Sequence, residues 1–86
     1  MPSNKEALVR YRAINRCLIN NNIATKQVLI SACTEAVGAL VSWRTIAGDI
    51  NAMRNNAQLG YMAPIENVKG EGYRYADKAY SIDQIP

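Results

Sequence analysis

Residues 42–55 read Ser42-Trp43-Arg44-Thr45-Ile46-Ala47-Gly48-Asp49-Ile50-Asn51-Ala52-Met53-Arg54-Asn55, and the rest of the chain is best understood from this stretch outward. Ser42 is an N-cap, because its hydroxyl can accept from an exposed amide of the first turn. Ile46, Ile50 and Met53 follow at i, i+4 and i+7, the spacing that lines one helical face. The spacing predicts a helix over about 43–56, with Trp43 and Ala47 at the edges of the inward stripe and Asp49 projecting sideways. The opposite face carries Arg44, Thr45, Gly48, Asn51, Ala52 and Asn55. It holds donors and small residues but no carboxylate. A solubilising face normally mixes Glu with Lys, whereas a face lying against a phosphate-lined groove avoids anions, and both readings are open for this one.

Upstream, Leu8, Tyr11, Ile14 and Leu18, flanked by Ala7 and Cys17, predict an amphipathic helix over 5–20. Lys5, Arg12 and Arg16 form a second, basic stripe on it. Asn20-Asn21-Asn22 ends the helix, because short amides compete with the helical backbone. Thr25 then caps a helix of about 26–40, with Val28, Leu29, Ala32, Cys33, Ala36, Val37 and Leu40 as its apolar stripe. Downstream, Ala63–Val68 and Gly72–Ala76 read as two strands around Lys69-Gly70-Glu71. Tyr73 and Tyr75 share one face of the second strand and Arg74 takes the other. Tyr80-Ser81-Ile82 is expected to add a short strand or to dock on the core.

Composition removes several classes of function. With 86 residues there is room for one domain and one modest core. The chain has no His, so the usual general base and most zinc sites are missing. An enzyme is not expected, nor is any metal or cofactor. Cys17 and Cys33 form no C-x-x-C pair and read as buried thiols of a protein in a reducing, cytoplasmic setting. The polar start of the chain lacks the apolar core of a signal peptide, and Gln27–Trp43 is too short and too rich in small polar residues to span a membrane.

Net charge is +3, unevenly spread. Residues 1–26 carry +4 (Lys5, Arg10, Arg12, Arg16 and Lys26 against Glu6), residues 27–57 balance, and residues 58–86 come to −1. A basic N-terminal third suits a polyanion, although a solvated helix face gives the same count.

Three helices, the last two joined by the short Gly38–Ser42 connection, then a β-hairpin: this is the order of a winged helix-turn-helix, mainly α with a small two-stranded wing at about 62–76. In that geometry the third helix enters the major groove of double-stranded DNA. Arg44, Asn51 and Asn55 can pair with base edges, Arg with guanine and Asn with adenine. Thr45 can bond a base or a phosphate, and Gly48 permits close approach. Ser42 and the first-turn amides can hold a phosphate. Lys5, Arg12, Arg16, Lys26, Lys69 and Arg74 are the candidate backbone contacts, which position but do not specify.

The segments Ser42-Trp43-Arg44-Thr45-Ile46-x-x-Asp49-Ile50-x-x-Met53-Arg54, Leu59-Gly60-Tyr61-x-Ala63-Pro64-Ile65 and Tyr73-Arg74-Tyr75-x-Asp77-x-x-Tyr80-Ser81-Ile82 resemble the N-terminal winged-helix domain of bacterial WYL-domain transcriptional regulators, most of all the Bacteroidetes type. The opening Asn4-Lys5-x-Ala7-Leu8-x-Arg10-Tyr11-x-x-Ile14-x-x-Cys17-Leu18 matches as well, so the resemblance spans nearly the whole chain. It implies sequence-dependent DNA binding, with helix 42–55 as reader and the 64–75 hairpin as wing. It also implies a separate C-terminal WYL domain through which any effector acts. That domain is absent here: residues 1–86 are expected to form the single winged-helix domain, as a truncated piece or a stand-alone protein. The sequence departs from the family in a shorter connection before Ser42, in the mid-helix Gly48, and in Glu66 and Glu71, which dilute the wing's positive charge. A homodimer on a palindromic site fits such a regulator, although no heptad or apolar patch marks its surface. The alternative is a winged helix used for protein–protein contact, supported by the weak net charge and by Tyr61, Tyr73, Tyr75 and Tyr80, since Tyr is favoured at interfaces. Against that, these tyrosines can simply pack the hairpin on the helices.

Overall fold

Local capping chemistry sets the helix boundaries. A computed structural model describes residues 5–82, the side chain of Lys5 excepted. Helix α1 spans Lys5–Asn20, α2 Lys26–Val37 and α3 Trp43–Asn55, followed by strands β1, Ile65–Val68, and β2, Gly72–Tyr75. At the end of α1, Asn21 donates from both its backbone N and its side-chain Nδ2 to the Cys17 carbonyl, satisfying an oxygen the helix leaves open. Thr25 and Ser42, both in extended conformation, accept from the amides of Val28 and Thr45; such caps contribute about 1 kcal/mol each.

Helix α2 is shorter than the expected 26–40. Gly38 takes a left-handed φ of 82° and donates its N–H to the Thr34 carbonyl, closing the helix at Val37. The Thr34 hydroxyl then accepts from the Val41 amide at 3.2 Å. This turn buries Val41 and leaves Leu40 87 % exposed, so Leu40 does not extend the apolar stripe of α2. Only Leu29 and Cys33 of that stripe are fully buried, while Val28 and Ala36 face outward.

Helix α1 lies at the centre and packs against α2, α3 and β2. Its buried arc is accordingly wider than a single stripe: Ala13 and Asn15 join Tyr11, Ile14, Cys17 and Leu18 inside, and Leu8, at the outer edge of the arc, is exposed. Ile14, Leu29, Ile46, Met53 and Cys33 form the fully buried centre; burying an aliphatic of this size contributes about 1.5–3 kcal/mol.

The hairpin pairs antiparallel, Ile65 with Tyr75 through Val68 with Gly72. The sequence did not reveal its third partner. Ala24, in the α1–α2 connection, exchanges both backbone hydrogen bonds with Tyr73, at 2.7 and 2.9 Å. Gly72 permits this approach: at φ 147°, a Cβ there would lie 2.3 Å from the Ala24 carbonyl oxygen. The wing is thus tied to the start of α2.

Tyr80–Ile82 docks on the core and adds no strand. Ile82 is buried, and buried Asn15 gathers this end of the chain. Its Oδ1 accepts from the Tyr75 hydroxyl at 2.6 Å and the Ile82 amide at 3.2 Å, and its Nδ2 donates to the Ser81 hydroxyl at 3.2 Å. Among the described residues no helix is long and apolar enough to cross a membrane.

Candidate nucleic-acid interface

Ile46, Ile50 and Met53 anchor α3 in the core, and this turns Arg44, Thr45, Gly48, Asn51 and Asn55 outward, all five exposed, with Ala52 half-buried between them. Asp49 does not project sideways: it is buried with Ile46 and Met53. Its Oδ2 accepts from Arg10 Nε at 2.5 Å and its Oδ1 from Arg10 Nη2 at 3.2 Å, a two-pronged pair joining α1 to α3. The carboxylate holds the Arg10 guanidinium above its ordinary pKa, outweighing the opposing effect of burial. Two consequences follow for the site. The pair fixes the roll of α3 on α1, and it removes the one acidic residue of α3 from the outward face.

That face is ordered within itself. The Ser42 and Thr45 hydroxyls lie 3.1 Å apart, and Ser42 Oγ also accepts from the Thr45 amide at 3.3 Å. Asn55 Nδ2 donates to Asn51 Oδ1 at 2.8 Å, one helical turn back. A Cβ built on Gly48 would meet nothing within 4 Å, so no packing within the protein requires a glycine there.

Lys26 is brought to this surface. Its ammonium sits 5.2 Å from the Trp43 ring centroid, and Trp43 in turn lies 5.7 Å from the Tyr73 ring. Lys26 at the start of α2, Trp43 at the start of α3 and Tyr73 of the wing therefore form one corner, and Lys26 shares a surface hollow with Gly70, Glu71 and Asn67 of the hairpin. Lys69 is exposed at the hairpin turn. Arg74 is exposed as well, but its guanidinium pairs with Glu66 across the strands, which offsets its charge. The α1 stripe stands apart. Arg12 is exposed, and Arg16 opens onto the hollow between α1 and α2 together with Glu35. The side chain of Lys5 lies outside the described residues.

The residues missed from sequence are Arg10, Trp43 and Tyr73, which position the site without lying on its reading face. A signal for Arg10 was present. Asp49 stands three residues after Ile46 and four before Met53, on the edge of the buried stripe, and a buried carboxylate requires a cation. Among the described residues no group of three His, Cys, Asp or Glu could hold a metal ion.

The hairpin tyrosines are engaged within the fold. Tyr61 packs edge-on against Tyr11, and Tyr75 against Tyr80. The Tyr80 hydroxyl donates to the Tyr61 carbonyl at 2.7 Å.

Compared with known families, residues 6–76 match the model described as WYL domain-containing protein, N-terminal winged helix domain. No curated protein and no solved structure matches the chain.

Proposed function

The chain belongs to the N-terminal winged helix domains of WYL domain-containing proteins, and from that membership we propose that it binds double-stranded DNA sequence-specifically, as the DNA-binding domain of a bacterial transcriptional regulator. The family supports a DNA-binding regulatory role. The observation that carries the finer reading is the outward face of α3: exposed Arg44, Thr45, Gly48, Asn51 and Asn55, with the helix's one carboxylate withdrawn beneath it. In this reading α3 lies in the major groove, with Arg44 and the two asparagines on base edges. Ser42, Lys26 and Lys69 contact phosphates on the flank, Arg12, Arg16 and Arg74 add weaker, more distant attraction, and Lys5 is a further phosphate contact. Two copies on an inverted repeat would extend the site beyond what one helix reads. The setting is the bacterial cytoplasm, with effectors acting through a WYL domain.

The protein-contact alternative drew on the weak net charge and on the tyrosines. Tyr61, Tyr75 and Tyr80 are packed within the fold, which leaves the weak net charge as its support.

The test is fluorescence anisotropy on duplex DNA from about 50 to 200 mM salt. The logarithm of affinity should fall linearly with log salt, by about 0.9 for each phosphate contacted. On a preferred site Arg44→Ala should cost about 1–3 kcal/mol and relax specificity. Arg12→Ala should weaken all duplexes alike. An equal loss on every sequence for Arg44→Ala would refute its reading role.

A further inference from the structure

The hydrogen bond between Asn51 and Asn55 sets what the reading face offers. Asn55 Nδ2 donates to Asn51 Oδ1 at 2.8 Å, so the carbonyl oxygen of Asn51 is engaged within the protein. Its Nδ2 is wholly free to donate, whereas Oδ1 has one of its two lone pairs occupied. Arg44 is exposed and carries donors only. Asp49, the one acidic residue between Glu35 and Glu66, is buried against Arg10. Between Arg44 and Asn51 the outward face therefore offers these two donors, beside the Thr45 hydroxyl that donates or accepts, around the bare backbone of Gly48. The fold does not demand that bareness, since a Cβ at Gly48 would meet nothing within 4 Å, and glycine weakens a helix interior.

We infer that the notch over Gly48 receives the major-groove edge of a guanine, with Asn51 Nδ2 and the Arg44 guanidinium as donors. Asn55 is the positioning residue that commits Asn51 to donating. The inference rests on the DNA-binding reading above and adds to it the identity of a base. Guanine suits a donor-lined notch because its major-groove edge offers two acceptors, N7 and O6, and no donor. Adenine and cytosine each present an amino group that needs an acceptor, and adenine would require Asn51 Oδ1 to accept a second time. Thymine offers one acceptor beside a methyl group. Asn51 thus reads guanine, where sequence reasoning assigned it adenine.

The experiment is selection from a randomised duplex pool by the full chain, in parallel with Asn51→Ala, Asn55→Ala and Asn55→Asp. Both amides are exposed, so these variants should keep the fold. The wild type should enrich a guanine whose preference weakens in the two alanine variants, with Arg44 carrying what remains. Replacing that guanine by adenine should weaken binding roughly 5- to 150-fold. Replacing it by 7-deazaguanine, which lacks N7, should also weaken binding. Inosine, which keeps N7 and O6, should bind within about twofold of guanine, because the major-groove edge is unchanged. In Asn55→Asp the carboxylate can only accept, so it takes Asn51 Nδ2 and turns Oδ1 outward. Preference should then move to a base that offers an amino group, whereas a merely structural role for Asn55 would lower affinity evenly. Enrichment of adenine or thymine at the Asn51-dependent position, or a guanine preference undiminished in Asn51→Ala, overturns the inference. Binding with no base preference overturns it and leaves DNA binding standing, and absence of binding to any duplex overturns both.

Discussion

Replacing Arg10 by Met keeps most of the side-chain stem and removes the charge that faces Asp49. The Asp49 side chain is 8 % exposed, and its hydrogen-bond partners are the two Arg10 nitrogens at 2.5 and 3.2 Å. Arg10→Met therefore leaves a buried carboxylate without its cation, a loss of about 3–5 kcal/mol. Asp49→Leu should cost less, about 2–3 kcal/mol, because the guanidinium it strands keeps more access to water. The stranded guanidinium is 15 % exposed and keeps Glu6 at 3.7 Å, although that partner is 72 % exposed and contributes little. A domain of 86 residues has roughly 4–13 kcal/mol of stability in all, so Arg10→Met should remove much of it. The double variant Arg10→Met/Asp49→Leu replaces the pair by apolar groups and should lie close to wild type. Urea unfolding followed by the fluorescence of Trp43, the single tryptophan, reads all four proteins. Single losses under about 1 kcal/mol that simply add in the double variant would refute the reasoning, because contacting residues should couple by more than the roughly 0.5 kcal/mol seen for independent sites.

Gly48→Ala should stabilise the fold by about 0.5–1 kcal/mol, since its methyl meets open space, and should weaken DNA binding by blocking close approach. Urea midpoint and anisotropy measured on the same variant check both, and unchanged affinity would remove the role given to Gly48. Cys33 is buried, and burial pushes its thiol up to about 11 from an ordinary 9.0. The unfolded chain ionises first, so the stability that Cys33 contributes is full below about pH 9 and is lost as pH rises through about 11. Tyr11 and Tyr80, also raised by burial, add to the same decline. Urea midpoints over this range should fall, and fall less steeply for Cys33→Ala.

What the sequence made legible was local. Thr25 and Ser42 announced the starts of α2 and α3 because a cap satisfies amides three residues on, and Ile46, Ile50 and Met53 announced the inner face of α3 by spacing alone. What it concealed depends on partners distant in the chain. Arg10 and Asp49 are 39 residues apart, and Asn15 meets Tyr75 and Ile82 across 60 and 67. Periodicity assigns a residue to a face but not to what covers that face. Leu8 was therefore placed inside although it is exposed, and Asp49 beside the stripe although it is buried. The Gly38 cap carried a local signal that the longer apolar pattern through Leu40 outweighed. The outward residues of α3 were legible as a face, whereas the bond that ties Asn55 to Asn51 required coordinates.

The most direct test of the account is amide chemical-shift mapping of the isotopically labelled chain titrated with duplex DNA. The account predicts the largest shifts at Arg44, Thr45, Gly48 and Asn51 on α3, with smaller ones at Lys26 and Lys69 on the flank. Shifts concentrated instead on α1 around Leu8, Val9 and Ile19, with α3 unmoved, would contradict it.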